Sequence, residues 1–179
     1  MHHPHPPRVY AGAQELHDEV RTFLDERFPG AVLSSQVDYD FPAFVLQKAR
    51  TVEVLAALKS DASMGYGFLT TLCGLHFPDH TGAEFGLMYQ LHNLPANKRI
   101  RIKTFMAAGD IEMPTVTTLW PTANWMERET FDFYGFRFTG HPDLRRILNM
   151  DEMTYHPLRK EYALEDAGRH DKEDKYFGR

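Results

Sequence analysis

The chain has 179 residues, 25 of them acidic and 20 basic, for a net charge of −5 with histidine neutral. That is one domain's worth of chain with ample apolar material for a core, and its acidic balance argues against a nucleic-acid surface. No apolar run approaches the roughly 20 residues that cross a bilayer, so any membrane association must go through a partner. The single cysteine, Cys73, excludes an internal disulfide, a four-thiolate zinc site and an iron–sulfur cluster held by this chain alone.

Residues 1–12 open with three histidines among prolines, which reads as a flexible arm whose ordering on a metal would cost entropy. From Ala13 to Phe28 the residues Leu16, Val20, Phe23, Leu24 and Phe28 recur at helical spacing, and Pro29-Gly30 ends the pattern. Val32–Val37 and Phe41–Leu46 read as short strands, Thr51–Leu58 as a helix and Asp61–Gly67 as a loop. Three further strands are predicted at Phe68–Leu75, Phe85–His92 and Arg99–Met106, joined by turns rich in Pro, Asp, Asn and Gly. In the last of them Ile100 and Ile102 alternate with Arg99, Arg101 and Lys103, the pattern of a half-buried antiparallel strand with a basic outer face. The expectation for 13–108 is therefore an α+β domain, a mostly antiparallel sheet with helices on one face.

Residues 109–139 change character, with aromatic and charged residues side by side. Asn124 with Glu127 predicts a capped helix start, and Gly135 a left-handed stop. The helix carries Trp125, Glu129, Asp132 and Phe133 near one face and Glu127, Arg128, Phe131 and Tyr134 near another. With aromatics on nearly every side it should be enclosed, and its carboxylates then need cations. Arg128, Arg137, Arg145 and Arg146 are the nearest supply. Glu129 and Asp132 in a cleft would make a general acid/base pair. An ion-pair network is the preferred reading, because no histidine, nucleophile or phosphate loop shares the stretch.

Residues 140–179 lose regular periodicity while keeping prolines and charges. They read as an extended tail, unstructured in the isolated chain and lying on partner subunits. His141 and His156 each precede a proline, which favours extended backbone there. Cys73, His76 and His80 have a zinc-like spacing, but a strand followed by Pro78 does not bring them together. No metal is expected.

The run from Val116 to Tyr162 resembles the C-terminal signature of the thirty-kilodalton, C-type subunit of respiratory complex I, the NADH:quinone oxidoreductase. The resemblance lies in Trp120-Pro121, Ala123-Asn124-Trp125, Glu127-Arg128-Glu129, Asp132, Tyr134-Gly135, the run Gly140-His141-Pro142-Asp143-Leu144-Arg145-Arg146-Ile147-Leu148, and His156-Pro157-Leu158-Arg159-Lys160. The preceding part of the chain follows more loosely, and Leu72–Phe77 lacks the aspartate that the family pattern places in that strand.

The resemblance implies a structural subunit of the hydrophilic arm that binds no cofactor itself. It would pack against the D-type, quinone-site subunit (the forty-nine-kilodalton type), with FMN, iron–sulfur clusters and quinone in partner subunits. Trp125, Glu127, Arg128, Glu129, Asp132, Tyr134, His141, Asp143, Arg145, Arg146, His156, Arg159 and Lys160 would then serve structure and interface, none of them catalysis. A start at Met1 without a transit-peptide pattern leads to the expectation of a bacterial protein, peripheral on the cytoplasmic side of the inner membrane. Two alternatives remain open at this point: the equivalent subunit of an energy-converting hydrogenase or ferredoxin-linked complex, and a free-standing acid/base enzyme using Glu129 and Asp132.

Overall fold

The computed structural model describes residues 12–162. The arm expected at 1–12, apart from Gly12, and the tail beyond Tyr162 lie outside the described residues.

Five strands form one sheet in the order β1-β2-β5-β4-β3, from β1 (Val32–Asp38), β2 (Phe41–Leu46), β3 (Phe68–His76), β4 (Phe85–Asn93) and β5 (Lys98–Met106). All pairs are antiparallel except β2 with β5, which run parallel with Phe44 beside Ile102. Register sorts the side chains. Leu91, Tyr89, Leu87 and Phe85 on β4 sit opposite Ile100, Ile102, Thr104 and Met106 on β5, and all eight are buried. This face is the floor of the core.

The helices α1 (Ala13–Arg27), α2 (Thr51–Ser60) and α3 (Ala123–Tyr134) all cover that face. The buried stripe Val20 and Leu24 of α1 joins Val54, Leu55 and Leu58 of α2 and the strand residues in one cluster, as the apolar periodicity of each helix requires. His17 of α1 stacks on Phe44 of β2, ring centroids 5.2 Å apart. At the other end α3 lies over β3, where Gly74 leaves space for the Tyr134 ring; a Cβ at Gly74 would sit 2.5 Å from it.

Two three-residue strands, β6 (Glu112–Pro114) and β7 (Arg137–Thr139), pair in parallel on either side of α3 in the chain. They bring Met113 and Phe138 into register and into the main core. Phe136 is fully buried and meets Phe85 edge-on at 5.9 Å. The region around α3 thus shares its hydrophobic core with the sheet.

A candidate interface built on one charged helix

Helix α3 begins at Ala123. Thr122 before it already has helical backbone angles, and no side chain caps the start. The cap expected from Asn124 and Glu127 is therefore corrected: Asn124 lies inside the first turn, and Glu127 points into the core. The stop at Gly135 is present, with φ +83°.

Two carboxylates of α3 have no exposure at all, Glu127 and Asp132. Glu127 Oε1 accepts the Val116 N–H at 2.7 Å, and Oε2 faces the Thr115 hydroxyl at 2.6 Å. The His141 ring lies 3.9 Å from Oε2, also without solvent exposure of its side chain. That ring donates through Nε2 to the Asn124 carbonyl at 3.2 Å and accepts the Asp143 N–H at Nδ1. Both ring nitrogens are spent on backbone, so the ring makes no hydrogen bond to Glu127. Burial pushes the Glu127 carboxyl up to about 7 against the two donated hydrogen bonds.

Asp132 has the opposite environment. Arg146 Nη1 donates to Oδ1 at 2.6 Å, while the backbone N–H groups of Ile147, Leu148 and Asn149 converge on Oδ2 at 3.1, 2.8 and 2.9 Å. Burial alone would raise this carboxyl; the backbone donors and the guanidinium outweigh it and hold it far below the usual carboxylate range. Arg146 spends three further donors on the carbonyls of Asp132, Met153 and Tyr155. Arg128, also buried, reaches the carbonyls of Arg145 and Arg146 and lies 5.3 Å from the Trp125 ring.

These bonds tie residues 140–162 back onto the helix as a strap, and its later turns continue the pattern. His156 Nδ1–H donates to the Asp132 carbonyl, the Leu158 N–H to Phe133, and Arg159 Nε to the Tyr134 carbonyl at 2.7 Å. The Lys160 N–H is accepted by Nδ1 of His76 at the end of β3, 3.0 Å away. Gly135 is required here for a second reason: a Cβ would come within 2.7 Å of His156 and 2.5 Å of Arg159. The strap has no helix or strand, yet it is ordered by side-chain-to-backbone bonds. Over 140–162 the extended tail expected from the sequence is thus tied to α3 within this chain.

Placement of the other predicted residues is mixed. Glu129 is exposed and shares no bond with Asp132, so the proposed acid/base pair is not assembled. Trp125 is 62 % exposed, which corrects the expectation of aromatic enclosure on every side. Arg145 is exposed and pairs with Asp143 at 2.9 Å. Cys73 and His76 point to opposite faces of β3, because Cys73 pairs with Met88 and His76 with Phe85; His76 instead stacks on Phe85 at 4.2 Å. Among the described residues no group of three His, Cys, Asp or Glu side chains is arranged to hold a metal. A groove of about 580 Å³ near the start of α1 has Glu15, Glu19, Lys98 and Arg99 in its lining, and no residue of α3 or the strap contributes to it.

The reading from sequence missed Thr115, the Val116 N–H, Gly74 and the acceptor role of His76. Only Gly74 carried a signal, a glycine in the middle of a predicted strand, where close approach of another element is the usual reason.

Comparison with known proteins bears directly on this arrangement. Residues 44–168 match the family described as the 30 kDa subunit of respiratory-chain NADH dehydrogenase. A protein of Acidothermus cellulolyticus, named as the C-type subunit of NADH-quinone oxidoreductase, is 32 % identical over 161 residues, covering 90 % of this chain and 84 % of the relative. One from Moorella thermoacetica with the same name is 37 % identical, covering 81 % and 94 %. A third, from Methylobacterium sp. strain 4-46, is 38 % identical, but the chain spans only 65 % of its length. The solved trypsin-resistant fragment of Nqo5 superposes with a TM-score of 0.61 at 31 % identity, covering 70 % of this chain and 98 % of the fragment. A chain of the archaeal membrane-bound sulfane sulfur reductase gives 0.68 at 22 % identity, covering 82 % and 85 %, a likeness of fold alone. The chain belongs to the 30 kDa subunit family of respiratory-chain NADH dehydrogenases, the family of the C-type subunits of NADH-quinone oxidoreductase.

Proposed function

We propose that this chain is a structural subunit of the hydrophilic arm of a proton-pumping NADH:quinone oxidoreductase, packing through α3 and the strap against the quinone-site subunit and its cluster-bearing neighbours. The observation that carries this reading is the saturation of Asp132. Its carboxylate receives four donors, and four of the five N–H groups of its partner Arg146 are engaged within the chain, so the pair is committed to holding the strap. A carboxyl held far below the usual range stays ionised at neutral pH and does not serve as a proton donor. Glu127 is sealed from solvent and Glu129 stands apart, so the charged signature is used internally.

What the strap offers outward is apolar. Leu148 is 67 % exposed and Met150 70 %, on a segment fixed by buried polar bonds, and Trp125 of α3 is exposed as well. Rigid presentation of Trp, Met and Leu is what a protein interface needs. Electron transfer from NADH through FMN and iron–sulfur clusters to quinone then belongs to the assembly, with this chain binding none of them. No helix among the described residues is long and apolar enough to cross a membrane, and in this reading the chain meets the cytoplasmic side of the bacterial inner membrane only through its partners.

The test is copurification. A tagged full-length chain, extracted in mild detergent, recovers the quinone-site subunit and the cluster-bearing subunits, whereas a version ending at residue 139 recovers none of them. Recovery of the full chain alone, or of the quinone-site subunit by the shortened chain, contradicts the reading.

A further inference from the structure

The face of the main sheet turned away from the three helices carries a pattern of its own. Register places Arg99, Arg101 and Lys103 of β5 in a row on this face, with His92, Gln90 and Met88 of β4 beside them. Beyond lie Cys73 of β3, opposite Met88, and Val45 of β2, beside Lys103. The helices pack their apolar stripes on the opposite face, and α3 brings Glu129 near Cys73 at the β3 edge.

Charge on the face is lopsided. Asp38 is ion-paired with the row, 3.0 Å from Lys103 and 3.8 Å from Arg101, and the Glu129 carboxylate acts on Cys73 at the β3 edge, so the three cations of the row outnumber the carboxylates near it on a chain whose net charge is −5. Arg99 is exposed. Arg101 is steadied by Phe41, 5.2 Å below its guanidinium, and by Gln90 Oε1 at 3.1 Å. Gln90 itself is 7 % exposed, and its Nε2 has no acceptor among the described residues, an unused donor next to the basic row. Half-buried Val45, Met88, Leu75 and Phe105 flank these groups, and Phe68 at the rim is 42 % exposed.

A positive row of donors bordered by apolar side chains fits a partner that supplies carboxylates along one line and apolar side chains on either side. We propose that this sheet face is a second docking surface, which receives an acidic amphipathic segment from a neighbouring subunit of the complex. The proposal rests on the assembly role set out above, and it adds a contact distinct from α3 and the strap.

Cys73 provides a built-in probe, since it is the chain's only thiol and lies on this face. The complex is purified through a tag on another subunit, and maleimide labelling of Cys73 is compared in the complex and in the isolated chain. The expected result is labelling of the free chain and protection of roughly tenfold or more in the complex. In parallel, Arg99→Glu should lower retention of this chain several-fold in a moderate-salt wash, with Arg99→Lys behaving as wild type. Equal labelling in free and assembled chain, with the chain present in stoichiometric amount, overturns the second surface and leaves the assembly role standing. Absence of the chain from the purified complex overturns the assembly role itself. Protection already present in the free chain assigns the cover to this chain or a second copy of it and overturns the proposal. Protection in the complex with Arg99→Glu indistinguishable from wild type overturns the acidic character of the partner.

Discussion

Asp132 and Arg146 are joined twice, through the carboxylate at 2.6 Å and through the Asp132 backbone carbonyl at 3.0 Å. Fourteen residues of chain separate them, and their bond closes the strap onto α3. With Asp132 sealed from solvent and Arg146 nearly so, removal of one partner leaves the other buried without compensation, which typically costs about 3–5 kcal/mol. Arg146→Ala should therefore lower the urea midpoint of the isolated chain and expose the amides of 147–149 to fast hydrogen exchange. Unchanged exchange at those amides would show that the clasp does not hold the strap.

Glu129 supplies the contrast. It is exposed and takes part in neither carboxylate site, so Glu129→Gln should change stability by no more than about 0.5 kcal/mol. Chemical denaturation beside Arg146→Ala checks this directly, and equal losses in the two variants would contradict the assignment of roles.

Glu127 sets a dependence on pH. Its folded pKa is raised to about 7 from 4.5 by burial, so its contribution to stability is intact below the unfolded value and is lost as pH rises through the folded one. Glu127→Gln keeps an acceptor for the Val116 N–H and gains a donor toward Thr115 without carrying charge. The wild type should accordingly lose stability relative to this variant between about pH 4.5 and pH 7, by up to about 3 kcal/mol. Measuring the difference between the two proteins cancels the other titrating groups, and a difference independent of pH would refute the buried carboxyl as described.

Gly74 controls how closely α3 approaches the sheet. A methyl group there overlaps the Tyr134 ring, and neither the strand nor the helix has room to retreat without disturbing Phe136 and Phe85. Gly74→Ala should destabilise by about 1–3 kcal/mol, and Tyr134→Leu in the same chain should recover part of the loss. A neutral Gly74→Ala in thermal denaturation would show that the helix can shift.

Much of this architecture could be read from local pattern. The alternation of Ile100 and Ile102 with Arg101 and Lys103 located β5 within one residue and identified its basic face, because period two is a property of the strand alone. The stop at Gly135 was legible for a similar reason, a single position that needs positive φ. The parallel pairing of β2 with β5 was not, since the partners Ala43 and Arg101 are far apart in the chain and nothing local encodes their meeting. β6 and β7, three residues each, are too short to show a period. Within α3 the sequence identified an enclosed, paired helix but chose Glu129 over Glu127. Which carboxylate is buried depends on the rotation of the helix about its axis, set by the seat of Tyr134 on Gly74 and by the strap. The order of the strap itself was hidden because it comes from polar bonds to one helix and not from periodic apolar residues.

In the role proposed for this chain, the buried charges of α3 hold structure for assembly and do not carry proton chemistry. The measurement that tests this most directly sets the abundance of assembled complex on native gels for Arg146→Ala beside its NADH:quinone rate per assembled complex. The structural role predicts a large fall in abundance with a near-normal rate for the complexes that form. Normal abundance with a collapsed rate per complex would contradict it.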